Sequence, residues 1–572
     1  MQQMHLRQMK LFYLLPILLA MLLTSGELSE ASTVPDSVFI ARVYFDKPGV
    51  KSQCDSLGFR PAFEGLGAYC DYVIEKKHIP ALVNSRLKYE IRSYGPLRPP
   101  TGTLTSTEID SLYHTYAEMQ NHLFSQAAAY PEIARVETIG TTQQEHRTMY
   151  AFKISDNVET DEDEPVVFFD GTHHACEVMG MEICLALIDT LLANYGTDSN
   201  ITNLVNSTEI WLVPLVNPDG HSAVMNNISP YYRKNGRDLN DNGILYEYEC
   251  NDWWTCATEG VDLNRNYDWF WDSGGQSSSW NYYYRGADAG SESENIAVAG
   301  LLWQIRPQLA ISYHSYGEIV YYPWELLAQN APDHAALYAT AYALSSRIHK
   351  EGSQQIYDFT PSDGQAGMAA NWQYGRLGTF AFTIETVSYY DFIIPSYRYH
   401  NVISENLKGC FYLLERAHGP QLTGRIFAPD SIQPVGAEIR ILEAYSNAVD
   451  AHYSDSITGR YTWILQPGVY SLKVISDDYA PATINNISVH EASPTVLDVY
   501  LNMFLPGDAN GSGGVTAADV TYLVRYFKGL GPAPVPLLAG DANGNCEVRP
   551  SDVTYLVVYL KGGLAPKRGD CP

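Results

Sequence analysis

Val166-Val-Phe-Phe-Asp-Gly-Thr-His-His-Ala-Cys-Glu-Val-Met-Gly180, continuing through Met181 to Ala193, is the stretch that decides the fold class. The unbroken apolar run Val166 to Phe169 reads as a strand covered on both faces, and Glu177 to Ala193 reads as a long helix that follows it directly. Further strands are expected at Ile210 to Pro214, Leu309 to Tyr313 and Thr379 to Glu385, and a capped helix after Ser106. Strand and helix alternating in this way predict an α/β domain with a mixed, largely parallel sheet flanked by helices.

The corner between the first strand and its helix carries His174 and Glu177, three positions apart, so one imidazole and one carboxylate can point at a single cation. Alone the pair is weak, since a histidine beside a helix-opening acid is common. A third candidate ligand, His314, stands at the end of the strand Leu309 to Tyr313. Two His and one Glu, with the fourth position left to water, suit a catalytic zinc better than a structural one. Glu385 ends the strand that starts at Thr379. A carboxylate there serves either an ion pair or a site at the C-terminal edge of the sheet, and we read it as a general base.

Composition sets the limits around this site. The 572 residues amount to about four domains at roughly 150 residues each. With 45% hydrophobic and 18% charged residues, 42 Tyr and 10 Trp, a chain disordered throughout is excluded. Against 37 Lys+Arg stand 65 Asp+Glu, a net charge of −28 that repels nucleic acid and anionic membranes. The apolar run Leu11 to Thr24, preceded by Arg7 and Lys10, reads as a signal peptide over 1–31, too short for a membrane anchor. A secreted protein, with no membrane span after cleavage, is therefore expected. Export permits disulfides, and Cys54/Cys70, Cys250/Cys256 and Cys546/Cys571 form local pairs. Cys184 and Cys410 sit in apolar helical patterns and read as buried small hydrophobes.

Outside the α/β domain (97–418) three modules are expected. Residues 32–96 read as a small α+β unit in the position of a pro-domain. Residues 419–502 contain only short alternating runs broken by turns and read as a β-sandwich. Residues 503–572 repeat themselves: Gly507-Asp-Ala-Asn-Gly returns at Gly540-Asp-Ala-Asn-Gly, each followed by an amphipathic helix. The copies place oxygen side chains at Asp508, Asn510, Ser512 and Asp519, and at Asp541, Asn543, Asn545 and Asp552, as in a calcium-wrapping loop. A small all-α module binding Ca2+ is expected, with Cys546 in the place of the second loop's turn glycine.

Taken in order, His174-Ala-Cys-Glu177, Asn217-Pro-Asp-Gly220, Arg233-Lys-Asn235, Gly260-Val-Asp-Leu-Asn-Arg-Asn266, His314-Ser-Tyr316, Tyr357 and Phe382-Thr-Ile-Glu385 resemble the zinc carboxypeptidases of the A/B type, over about residues 100 to 417. The resemblance implies one catalytic Zn2+ on His174, Glu177 and His314, and Glu385 as the base for the attacking water. It implies Arg233 for the oxyanion, and Asn264, Arg265 and Tyr357 for the free C-terminal carboxylate of a peptide or protein substrate. Ser315 and Tyr316 are expected against substrate. Glu325 is expected near the floor of the pocket for the C-terminal side chain, which favours basic or mixed specificity. Against a basic preference, Ala370 stands where basic-specific relatives place Asp. Cys176 replaces an arginine of the digestive members. Residues 419–502 resemble the transthyretin-like domain of regulatory carboxypeptidases, and the duplicated loops resemble dockerins, which implies a cohesin-like receptor.

Two other functions stay open. A zinc amidase or endopeptidase acting on cell-wall peptides would need no anchor for a chain terminus, which the Asn264/Arg265 pair argues against. A non-catalytic binding module would not need Glu385 beside three ligands.

Overall fold

The computed structural model describes residues 37–569 apart from 45–46, 48, 65–68, 76–77, 97–111, 227, 229–230, 247–258, 327–328, 363–366, 389–391 and 430–431. The expected signal peptide, Cys250 and Cys256, and Cys571 fall outside the described residues.

The described residues divide into two units. The small unit has β1 (Ser37–Tyr44), a helix at Val50–Ser56, β2 (Arg60–Glu64), β3 (Tyr69–Glu75), a helix at Ile79–Asn84 and β4 (Tyr89–Pro96), with sheet order β2-β3-β1-β4. β1 runs antiparallel to both β3 and β4. Its alternation puts Ala41 and Val43 into a core with Val50, Cys54, Phe59 and Tyr72.

The large unit is built on an eight-stranded sheet of β5 (Ala134–Thr141), β6 (Thr148–Ile154), β7 (Val166–Gly171), β8 (Glu209–Val213), β9 (Leu309–Ser315), β10 (Ile319–Tyr322), β13 (Asp358–Pro361) and β14 (Phe380–Thr386). A two-stranded hairpin, β11 (Glu325–Leu326) with β12 (Gln329–Asn330), lies apart from it. The order is β13-β10-β14-β9-β7-β8-β6-β5, and the central β8-β7-β9-β14 ladder is parallel. Every residue of β7, β8 and β9 is buried, which explains the unbroken apolar run Val166 to Phe169 and the largely apolar β8 and β9. Helices at Tyr116–Ala129, Met179–Asn194, Ser293–Ile305, His334–Ser345 and Ser396–Arg416 accompany the sheet. The first opens on a capping box of Thr115 and Glu118. Cys184 and Cys410 are fully buried, as expected, and the Cys410 thiol lies 2.9 Å from the Tyr313 hydroxyl. No helix among the described residues is long and apolar enough to cross a membrane.

After the helix Ser396–Arg416 the described chain forms two small sheets and a separate two-stranded pair, Tyr479–Ala480 with Asn502–Met503. One pairs Gln421–Phe427 with Arg460–Ile464, and the other joins Glu438–Ile441, Gly468–Ile475 and Ala482–Val489. Leu422, Ile426, Ile439, Ile441, Leu472 and Val474 form their shared core. These sheets are fixed to the α/β domain by polar contacts: Arg416 Nη2 donates to Leu465 O (3.2 Å), Arg425 Nε to Asp163 (3.1 Å) and Trp463 Nε1 to Asp333 (2.9 Å).

Asp333 is 5% exposed, and its other oxygen accepts from the Tyr374 hydroxyl at 2.8 Å. Burial pushes its carboxyl up to about 6, even though both donors favour the ionised form. An unfolded Asp titrates near 3.9, so the folded state gains from the protonated acid below about pH 4 and loses that gain as pH rises through 6. The difference amounts to about 3 kcal/mol. Replacing Asp333 with Asn removes this dependence. In thermal melts from pH 4 to 8, the stability of the variant relative to the parent should rise with pH; a difference flat with pH contradicts the assignment.

In the duplicated segment, the helices Ala517–Phe527 and Pro550–Leu560 pack through Leu523 and Leu556 onto Ala509 and Ala542. The loop carboxylates point back into their own loops. Asp508 accepts from the N–H groups of Ser512 (2.9 Å) and Gly513 (2.7 Å), and Asp541 from those of Gly544 (2.8 Å) and Cys546 (2.8 Å). Asp519 and Asp552 close the loops from the helices, accepting from Asn510 N and Asn543 N. Gly513 has φ 86° and Cys546 φ 65°, so the cysteine holds the left-handed turn that glycine supplies in the first copy. Cys546 is disulfide-bonded.

Candidate active site

The site forms at the C-terminal ends of β7, β9 and β14, where parallel strands in α/β sheets deliver side chains to a crevice. At the end of β7 the chain must turn sharply into the helix Met179–Asn194. Gly171 and Gly180 allow this, because a Cβ on Gly171 would stand 2.4 Å from the Gly180 carbonyl carbon. Between them Thr172 takes φ 59°, and after β14 Val387 takes φ 50°. A left-handed β-branched residue costs on the order of 1–3 kcal/mol, and such positions cluster at functional sites.

This turn brings His174 and Glu177 against His314 on β9; all three are at most 3% exposed. His174 Nδ1 lies 2.9 Å from Glu177 Oε1, His314 Nδ1 2.9 Å from Glu177 Oε2, and the two Nδ1 atoms 3.0 Å apart. Four donors at 2.0–2.1 Å from a tetrahedral zinc stand about 3.3 Å from one another; at 2.9–3.0 Å the two imidazole nitrogens and the carboxylate they share lie close to that spacing. Burial, with His174 beside it, pushes His314 down to about 4, which leaves a neutral ring with a lone pair to offer. Glu177 is buried as well, but the two imidazoles outweigh that and hold its carboxyl well below the usual range. The chemistry and spacing of this donor set fit zinc.

Neighbouring groups orient the ligands. Asp262 Oδ1 lies 3.2 Å from His174 Nε2, fixing the tautomer that leaves Nδ1 for a metal. Ser312 Oγ lies 3.3 Å from His314 Nε2 and donates to Asp170 at 2.6 Å. The backbone N–H of Ser315 donates to Glu177 Oε2 at 3.0 Å. Asp262, Ser312 and Asp170 were not singled out from sequence, although Asp170 and Asp262 lie inside the quoted motifs.

Glu385 is the register partner of His314 across the parallel β9–β14 ladder, so both side chains leave the same face of the sheet. It is partly exposed. Desolvation, then the nearby Glu177 charge, pushes its carboxyl well above the usual range, against the pull of Arg233 and Arg265. A raised acid facing a ligand cluster is suited to exchange protons.

Arg233 is 8% exposed and therefore not a solvated surface charge. Its Nε donates to Asp262 Oδ2 at 2.9 Å and its Nη1 stands 3.5 Å from Glu177 Oε1. Arg265, also buried, donates from Nη1 to the Asn264 carbonyl at 2.6 Å. The Asn264 side chain accepts from Ala369 N at 2.8 Å and reaches within 3.4 Å of His314 Nε2. Gly367 seats this wall: with φ 75°, a Cβ there would meet Arg265 O at 2.2 Å. Ala370 and Asn371 are buried beside it.

Two expectations change. Tyr357 does not join the site: it is 2% exposed in the main core, with its hydroxyl accepting from Asn406 at 3.4 Å. Standing immediately before β13, it meets Asn406 of the helix Ser396–Arg416, a packing role that spacing alone could not separate from a binding one. The Ser315 hydroxyl is engaged with Thr386 Oγ1 at 2.8 Å, so Ser315 orients a ligand rather than presenting its side chain to substrate. Tyr316 is partly buried and packs against Phe392 at 5.3 Å between ring centres. The Glu325 side chain falls outside the described residues.

A model of the family described as zinc carboxypeptidase matches residues 119–409, about half of the chain. A zinc carboxypeptidase of Saccharothrix mutabilis subsp. capreolus is 29% identical over 302 residues, covering 50% of this chain and 64% of that protein. Carboxypeptidase B of Astacus astacus is 28% identical over 303 residues, covering 50% of this chain and 89% of that protein. The match to human carboxypeptidase D, 26% identical over 423 residues, covers 69% of this chain and 26% of that protein. In fold, the chain is similar to the solved carboxypeptidase A from Helicoverpa armigera, with a TM-score of 0.51 at 19% identity over 67% of this chain and 98% of that one.

Proposed function

Since the chain belongs to the zinc carboxypeptidase family, we propose that it is a secreted, zinc-dependent hydrolase that removes single residues from the free C-terminal ends of peptides and proteins. His174, Glu177 and His314 hold the metal. When bound, zinc supplies Lewis acidity that polarises the scissile carbonyl and lowers the pKa of a coordinated water to about 7. Glu385 takes the proton of the attacking water and passes it to the leaving amine. Arg233, held by Asp262, faces the oxygen that gains charge. Arg265 and Asn264 grip the terminal carboxylate, a geometry the guanidinium fork meets with two parallel bonds.

The observation that carries the reading is the buried Asn264–Arg265 pair set against the ligand cluster, because a buried cation beside the reacting centre selects a chain end over an internal bond. The test compares one tripeptide with a free and with an amidated C-terminus. Hydrolysis of the free form alone is expected, and Arg265→Met should reduce kcat/KM for it by about 10²-fold or more. Equal hydrolysis of both forms indicates an amidase or endopeptidase instead.

The outer modules complete the proposal. The small unit is a pro-domain, the β-sandwich is a transthyretin-like support, and the duplicated loops bind Ca2+ through Asp508, Asn510, Ser512, Asp519, Asp541, Asn543, Asn545 and Asp552 and dock on a cohesin-like receptor. Inward-turned carboxylates in both loops support the calcium reading. Thermal melts of the full chain should show a calcium-dependent transition, absent from a variant carrying Asp508→Ala and Asp541→Ala; melts insensitive to calcium contradict it.

A further inference from the structure

The two arginines of the site share one aromatic neighbour. Arg233 Cζ lies 5.0 Å from the centre of the Tyr283 ring and Arg265 Cζ 5.5 Å from it. Arg233 also stands 5.1 Å from the Tyr282 ring, and the two tyrosine rings meet edge to face, 5.3 Å apart at 87°. Both tyrosines belong to a segment that folds back on itself between Gln276 and Arg285, with Gln276 N donating to Tyr283 O (2.9 Å) and Arg285 N to Gln276 O (3.0 Å). The segment is tied to the chain neighbour of Arg233 and to its ion-pair partner. Lys234 Nζ donates to Ser279 O at 2.8 Å, and Asp262 N to Tyr284 O at 2.8 Å.

We propose that Tyr283 is a positioning residue that braces both arginines at once, so that one ring sets the distance between the group facing the developing oxyanion and the group gripping the substrate carboxylate. This inference rests on the function proposed above. Two guanidinium groups that lie within 5.5 Å of one ring carry like charges and repel each other. Asp262 restrains Arg233 along one edge, whereas the face of Tyr283 attracts both cations and excludes water from them. The interaction belongs to the ring and not to the hydroxyl, which separates it from a hydrogen-bonding role. Without the ring, Arg233 is free to settle further onto Glu177 and Asp262, and Arg265 loses the aromatic neighbour 5.5 Å from its guanidinium.

The test uses zinc-loaded full-length protein and measures kcat and KM on a free-ended dipeptide and its amide, together with zinc content and melting temperature. Tyr283→Phe should stay within about threefold of the parent. Tyr283→Leu should lose about 20-fold in kcat/KM on the free-ended substrate, the size of two partly desolvated cation–π contacts. The loss should be divided between a higher KM, through Arg265, and a lower kcat, through Arg233, with zinc content unchanged. Tyr283→Met replaces Tyr283→Leu if the latter does not fold. A Leu or Met variant within threefold of the parent overturns the proposal, as does a Phe variant as impaired as they are. A parent that does not distinguish the free end from the amide overturns the proposed function and this role with it.

Discussion

Replacing Glu385 with Gln should lower kcat by about 10³-fold while zinc content and KM stay near those of the parent. The side chain is nearly isosteric, it lies beside the ligand cluster without belonging to it, and it leaves the sheet on the same face as His314. What is lost is the capacity to accept a proton from water and hand it to the departing amine. Desolvation and the Glu177 charge disfavour the ionised form of Glu385, so the amide should not destabilise the fold. Steady-state kinetics, metal analysis and a thermal melt on one preparation check all three points. A Gln variant that retains a tenth of the parental kcat removes Glu385 from the role of base.

The second large effect concerns the ligands. His314→Ala removes one of three donors from a site at most 3% exposed, and the remaining pair does not complete a catalytic zinc's protein ligand set. Zinc retention should fall to a small fraction of the parental content, and activity with it. Because an ion that binds only the folded state stabilises it by mass action, a chelator should lower the melting temperature of the parent and leave that of His314→Ala unchanged. A variant that keeps its zinc through dialysis contradicts the assignment of the ligand set.

How far these features could be read in the sequence depends on the range of the interaction that fixes each one. Val166 to Phe169, His174 and Glu177 lie in one strand-to-helix corner, where apolar run, turn and ligands are local, and the structure places them within a residue or two of expectation. His314 and Glu385 were legible because each ends a buried strand, and a parallel ladder brings strand ends together. For Tyr357 the sequence shows a tyrosine near the right spacing but not its partner; its hydroxyl meets Asn406 in the core. Asp262 and Ser312 carry no signal of their own: an acid two residues before Asn264 becomes informative only when His174 is seen 3.2 Å away. Tyr283 lies in an aromatic run whose composition suggests packing, and only folding sets its ring against two arginines.

The central claim is that His174, Glu177 and His314 grip one zinc ion. Diffraction data from crystals of the metal-loaded protein, collected on both sides of the zinc absorption edge, test it most directly. A single strong anomalous peak is expected in the α/β domain, about 2.0–2.2 Å from Nδ1 of both histidines and from a Glu177 oxygen. No peak at that position, or a peak held by other residues, would contradict it.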